Sequence, residues 1–192
     1  IPSYPYVFSP TLLSVPFHDD FEDGVADGWQ PKTPGRWSVV QDAGDYSYFL
    51  HATNYSGDEY SLIQNYTFGD FDMTVKVKTA EDLNHNPVAD YAVLFGYQDA
   101  ANNYYLKFCR LDSENKLYRT LNGQATVLAT YNGPTITDNA YHLVRITRSG
   151  TNIIVYFDGQ QIMSTSDGTF TSGKIALGAY KYSAYFDDVS IT

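Results

Sequence analysis

From Trp37 onward the chain is broken into short runs rich in Val, Ile, Tyr, Phe and Thr, recurring about every ten residues between clusters of Gly, Asn and Asp. A chain interrupted this often has room for strands and for no helix longer than a turn or two, so it must bury itself as stacked sheets. Met73, Val75 and Val77 alternate with Thr74, Lys76 and Lys78, the period of a strand with one dry and one wet face. By the same alternation Leu106 and Phe108 share one face of a strand while Tyr105, Lys107 and Cys109 take the other, and Val144 and Ile146 oppose Arg145. Asp158-Gly159, between IIVYF and QQIMS, is a two-residue hairpin signal, and Asn122-Gly123, Ser149-Gly150 and Ser172-Gly173 mark further hairpins. The predicted fold is all-β, a jelly-roll sandwich of two antiparallel sheets. Its expected core includes Phe95, Leu106, Phe108, Val144, Ile146, Val155 and Leu177.

The chain has 192 residues, 43 % of them hydrophobic, enough for one such domain with a proper core. A net charge of −10 without any Lys/Arg run argues against nucleic acid as a partner. No stretch approaches the roughly 20 apolar residues of a membrane-spanning helix. Cys109 is the one cysteine, so no internal disulfide and no CxxC motif can form; it reads as a small buried hydrophobe. The chain begins with Ile1, and its first ten residues have neither a basic start nor an apolar signal core. The expectation is a secreted polypeptide from which a leader or upstream domain has been removed, a monomer or a module of a larger protein. Residues 1–16, with four prolines and no periodicity, read as an extended arm ahead of a single domain at 17–192. Asn54-Tyr55-Ser56 and Asn65-Tyr66-Thr67 fit the glycosylation pattern, too short a match to carry weight.

DDFEDGVADGW at 19–29 and YFDDVSI at 185–191 resemble the first and last strands of the concanavalin A-like and laminin-G-like jelly-roll superfamily. WSVV, YAVLFGYQDAANNYYLKF, HLVRITRSGTNIIVYFDGQ and GKIALGAY resemble its middle. That superfamily includes lectins, carbohydrate-binding modules, glycoside hydrolases and polysaccharide lyases, so the resemblance specifies the fold and leaves function to the sites. The ExDxxE strand of jelly-roll glucanases is absent, and so is the pair of close carboxylates that retaining hydrolysis requires. Gly96 stands where many relatives carry an arginine, which reads as an open groove position. In related modules a structural calcium ion joins the first segment to the last strand. The resemblance carries this over to Asp20, Glu22, Asp23, Asp187 and Asp188, of which Asp20, Glu22 and Asp187 lie next to apolar anchors. Calcium takes six to eight oxygen ligands, so acidic segments at two paired chain ends suit it. The plainer reading is that these are solvated loop acids.

Eighteen tyrosines are far more than ordinary usage, and each offers sugars a flat apolar face and a hydroxyl. Most serve the sheets. Those beside polar residues on a strand face, Tyr97, Tyr105, Tyr180 and Tyr182, are the candidates for a sugar-binding concave sheet. His51, Lys107, Arg119 and Arg145 are the mid-sheet bases, which in a groove would recognise the carboxylates of a uronic-acid polymer and elsewhere are ordinary surface charges. Trp29 and Trp37 read as core. Three functions fit. The first is recognition of a polysaccharide. The second is a small polysaccharide lyase working on a uronate polymer by β-elimination, with Lys107 and Tyr105 or Tyr182 as the catalytic acid and base, aided by Arg119 or Arg145. The third is a laminin-G-like adhesion domain that binds protein through its rim loops.

Overall fold

A computed structural model describes residues 16–52 and 57–192. The arm, apart from Pro16, and the first glycosylation pattern lie outside the described residues. Among the described residues the alternating runs form fifteen strands. Their order in sequence is β1 (Phe17–Asp19), β2 (Trp29–Pro31), β3 (Trp37–Asp42), β4 (Asp45–Leu50), β5 (Glu59–Ile63), β6 (Phe71–Thr79), β7 (Asp90–Asp99) and β8 (Asn102–Cys109). They continue with β9 (Asn115–Leu121), β10 (Gln124–Tyr131), β11 (His142–Ser149), β12 (Asn152–Phe157), β13 (Gln160–Ser166), β14 (Lys174–Ala179) and β15 (Ala184–Ile191). The helical elements among the described residues are two three-residue 3-10 turns.

The first sheet runs β13-β12-β11-β6-β15-β4-β3, with β1 also on β15; the second runs β10-β9-β8-β7-β14-β5-β2. Every pairing is antiparallel, and the first described strand lies on the last, Phe17 opposite Ile191 and Asp19 opposite Val189. Met73, Val75, Val77, Val144, Ile146 and Val155 of the first sheet face Val93, Phe95, Leu106, Phe108, Leu117 and Leu177 of the second, all of them buried. Each expected core residue is therefore inside. Trp29 and Trp37 pack around Tyr48, and Cys109 is free and buried.

Polar residues fix the corners. Glu59 is only 1 % exposed; its Oε1 accepts the Trp37 indole N–H at 3.1 Å and the Thr33 amide at 3.0 Å, tying β5 to the connection between β2 and β3. Asp158 and Gly159 both have positive φ, 49° and 80°, as a type I′ turn demands. Ser172-Gly173 does not form the expected hairpin. Gly173 exchanges main-chain hydrogen bonds with Phe68 and lies so close to Gly96 that a Cβ there would fall 2.6 Å from the Tyr97 nitrogen. Nor is Gly96 an open groove position: a Cβ would meet the Tyr104 ring at 2.9 Å, inside the packed end of the sandwich.

Candidate functional site

A cleft of about 450 Å³ crosses the outer face of the second sheet. Alternation builds it. With Leu106 and Phe108 turned inward, β8 presents Asn103, Tyr105 and Lys107 outward; β9 adds Tyr118 and Thr120 beside Leu117, and β5 adds Tyr60 beside Ile63. Register then sets Tyr105 between Leu94 and Tyr118, and Lys107 between Ala92 and Lys116. Tyr60, Leu94 and Ala176 make a small apolar floor with Leu62, Tyr97 and Tyr105 packed against it.

The rim is polar and charged in both senses. Lys32 Nζ donates to the Asp58 carbonyl at 2.6 Å and lies 5.4 Å from the centre of the Tyr60 ring. Lys107 Nζ is 3.8 Å from Glu114, whose other oxygen holds Lys116 at 2.9 Å. Burial raises the Asp58 carboxyl above the usual range, against the pull of Lys32 and Lys107. The Tyr105 hydroxyl is buried without a hydrogen-bond partner, and burial, then the charges of Asp58 and Asp90, push its pKa well up. It therefore stays a neutral O–H, enclosed beneath the cleft. Apolar floor, tyrosine rings and a rim of hydroxyl, ammonium and carboxylate groups match what a sugar ring presents: C–H faces bounded by hydroxyls.

Asp90 closes this end of the sheet. It is 2 % exposed, its Oδ1 accepts the Tyr180 amide at 2.8 Å, and burial pushes its pKa up to about 6. Between the ordinary value of 3.8 and about 6 the native state holds more protons than the unfolded chain, so stability falls as pH rises through that window. The folded protein is accordingly expected to melt higher at pH 5 than at pH 7, with Asp90 contributing about 1 kcal/mol of the difference. Melting curves of Asp90→Asn should lose that part of the slope; an unchanged slope would refute the assignment.

The structure separates the other sequence candidates. Tyr105, Lys107 and Tyr180 line the cleft, and Tyr97 stands behind it with its hydroxyl 2.9 Å from that of Tyr60. Tyr182 is half-buried near Asp90 and is not among the lining residues. Arg119 alternates with Tyr118 and Thr120 and so projects from the opposite face of β9, where Nη1 reaches Asp167 at 2.8 Å and Thr169 at 3.2 Å. Arg145 and His51 belong to the first sheet. Arg145 binds Asp72 through Nε at 2.8 Å and Nη2 at 2.6 Å, and His51 stacks on Phe49 just beyond β4. The expected grouping of Lys107 with Arg119 or Arg145 is thus corrected: strand parity removes the first and sheet membership the second. Lys32, Asp58, Tyr60, Asn103, Tyr118 and Thr120 were missed. For Tyr60 the signal was an inverted one: in EYSLI the polar Glu59 and Ser61 are the buried positions, leaving Tyr60 and Leu62 outward.

Of the acidic residues assigned to calcium, Asp20 and Asp23 cap the amides of Glu22 and Val25, and Asp188 pairs with Lys76. Glu22 Oε1 accepts the Tyr46 amide at 2.8 Å. Asp187 is nearly buried and its pKa is raised to about 6, first by burial and then by the charges of Asp188 and Glu22. Among the described residues no three His, Cys, Asp or Glu side chains are grouped to hold a metal ion.

Residues 16–192 match the model of the 3-keto-alpha-glucoside-1,2-lyase-like domain. The chain belongs to that family. The match takes in every described residue. Among curated proteins the family member is 27 % identical over 164 residues, or 82 % of this chain, to a fructan beta-fructosidase of Streptococcus mutans, and 28 % identical over 102 residues to a levanase of Bacillus subtilis. It spans only 10 % and 15 % of the length of those two proteins. Among solved structures it is similar to the carbohydrate-binding module CBM66 from Bacillus subtilis, with a TM-score of 0.68 at 21 % identity, covering 85 % of this chain and 94 % of that one. The beta-glucanase of Bacillus licheniformis superposes with a TM-score of 0.65 at 17 % identity over 92 % of this chain and 97 % of its own. These likenesses confirm the concanavalin-like jelly roll.

Proposed function

We propose that the domain is a carbohydrate-binding module that holds a polysaccharide in the cleft on the outer face of its second sheet. The observation that carries the reading is the cleft itself, where Tyr60, Tyr105 and Tyr118 stand over an apolar floor with Lys32, Asn103, Lys107 and Thr120 around them. Two relatives named for fructan hydrolysis, and a structural neighbour named as a carbohydrate-binding module, support it. The charges favour a neutral polymer of the fructan type over the uronate expected from the sequence. Lys32 and Lys107 share the site with Asp58, and Asp90 adjoins it, so a ligand carboxylate gains little. Such polymers lie outside the cell, and a secreted protein is the corresponding setting. The test is affinity electrophoresis on levan, inulin, alginate and glucuronan, with absorbance of unsaturated product followed on the same panel. Retardation on a fructan without product is the expected result. Product from a uronate would establish the lyase instead, and no retardation on any polymer would reject the module.

For the joined chain ends we propose a structural calcium ion between Glu22 and Asp187, its remaining ligands main-chain oxygens and water. An ion that binds only the native state raises stability. Chelation with EDTA should therefore lower the melting temperature, and added calcium should restore it in the parent but not in Asp187→Asn. A melting curve indifferent to both additions would remove the ion.

A further inference from the structure

The cleft is longer than its aromatic part. Across the sheet Tyr105 lies beside Tyr118, and Tyr118 beside Val127 of β10. Two residues along the same strands, about 7 Å away, runs a second row, Asn103 beside Thr120 and Thr120 beside Ala125. That row is uncharged, and its polar groups are open. Asn103 Nδ2 donates to the carbonyls of Asp99 at 3.1 Å and Ala100 at 3.3 Å. Only the amide nitrogen can meet two carbonyls, so Oδ1 is the acceptor that Asn103 offers the cleft it lines. The hydroxyls of Thr120 and Tyr118 make no hydrogen bond among the described residues, and neither is enclosed. Beyond them Gly123 and Ala125 are exposed, and a Cβ on Gly123 would meet nothing within 4 Å.

Among the described residues β10 is the edge of its sheet, so no strand closes the cleft on that side. From Tyr60 on β5 to Ala125 on β10 the lining crosses five strand spacings, about 24 Å. One sugar ring, no larger than a tyrosine ring, reaches one part of that length or the other. The two parts also differ in chemistry: Lys32, Asp58 and Lys107 stand around Tyr60 and Tyr105, whereas Asn103, Thr120, Gly123 and Ala125 carry no charge. We infer that Asn103 and Thr120 form a second sugar subsite, and that the cleft holds several consecutive units of a polysaccharide laid across the strands and leaving over the β10 edge. Resting on the cleft's being a carbohydrate site, this subsite adds the length and the path of the ligand.

The experiment is isothermal titration of the full chain with levan and inulin oligosaccharides, from the monosaccharide to the pentasaccharide, beside gel retardation on the two polymers. Affinity is expected to rise by about tenfold or more between the mono- and the tetrasaccharide, the worth of one or two added hydrogen bonds. Two variants act on the second subsite alone. Thr120→Val removes the hydroxyl and keeps the shape, and Ala125→Trp fills the way out over the edge. Both positions are on the outer face, so melting temperatures should match the parent. Thr120→Val should diminish the gain with length, and Ala125→Trp should remove most of it. Lys107→Ala should instead weaken every length by a similar factor. Equal affinity for the mono- and the pentasaccharide, or a gain that survives both variants undiminished, would overturn the subsite. If the polymers are still retarded in that case, the cleft stands as a binding site without it; no binding at any length and no retardation would remove both.

Discussion

Tyr118→Ala combined with Lys107→Ala is expected to abolish retardation on a fructan gel while the protein remains folded. Lys107 supplies a charge-assisted hydrogen bond at the rim, worth about 1.5 to 3 kcal/mol, and Tyr118 an aromatic face worth about 0.5 to 1.5 kcal/mol. Their joint loss of about 2 to 4 kcal/mol is roughly a 30- to 1000-fold drop in affinity at about 1.4 kcal/mol for each factor of ten. Both side chains are half-exposed on the outer face, so neither leaves a core cavity behind. The comparison protein is Arg145→Ala. It removes a bidentate pair with Asp72 on the other sheet, an exposed bridge worth about 0 to 1 kcal/mol, and should bind like the parent. Equal weakening by Arg145→Ala and Lys107→Ala in isothermal titration would show that the cleft is not where the polymer sits.

Gly173→Val should be the most damaging single substitution for the fold. No side chain fits where the main chains of Gly173 and Gly96 touch, so the β14 entry must move away from β7 and break the bridge to Phe68. Overpacking of this kind costs about 2 to 4 kcal/mol, or roughly 4 to 16 °C in melting temperature for a chain of this size. Gly35→Ala is the control. A Cβ at Gly35 meets nothing within 4 Å, and its change in stability should stay within about 0.5 kcal/mol. Similar melting temperatures for the two variants would contradict the described packing.

Strand alternation was enough to place Leu106, Phe108, Val144 and Ile146 in the core and Lys107 with Tyr105 on an outer face, because period two converts directly into sidedness. The pairing of the first strand with the last was legible too, since the matched segments begin at the end of β1 and fill β15. What alternation cannot supply is which sheet a strand joins and how strands are ordered within it. Arg145 and Lys107 both read as mid-strand bases, yet β11 and β8 lie in different layers. Arg119 shows a different limit: its strand does neighbour β8, but one residue of parity sends it to Asp167 instead of the cleft. Asp58 and Lys32 were invisible because they come from loops, whose positions follow from the finished sheet. Gly173 resembled turn chemistry and proved to be a place where two backbones touch.

The pairing of β1 with β15 also governs how the domain carries load. Phe17 and Ile191 sit directly opposite one another, so the two ends of the domain leave from the same side. Tension applied through those ends acts across the strands and parts the β1–β15 ladder one rung at a time, with no set of hydrogen bonds loaded in parallel. β1 spans only three residues and peels first, yielding a short length of slack while β15 stays anchored by β6 and β4 on either side. The second sheet, which carries the cleft, takes no part in that ladder, so β1 can peel without displacing a strand of the cleft.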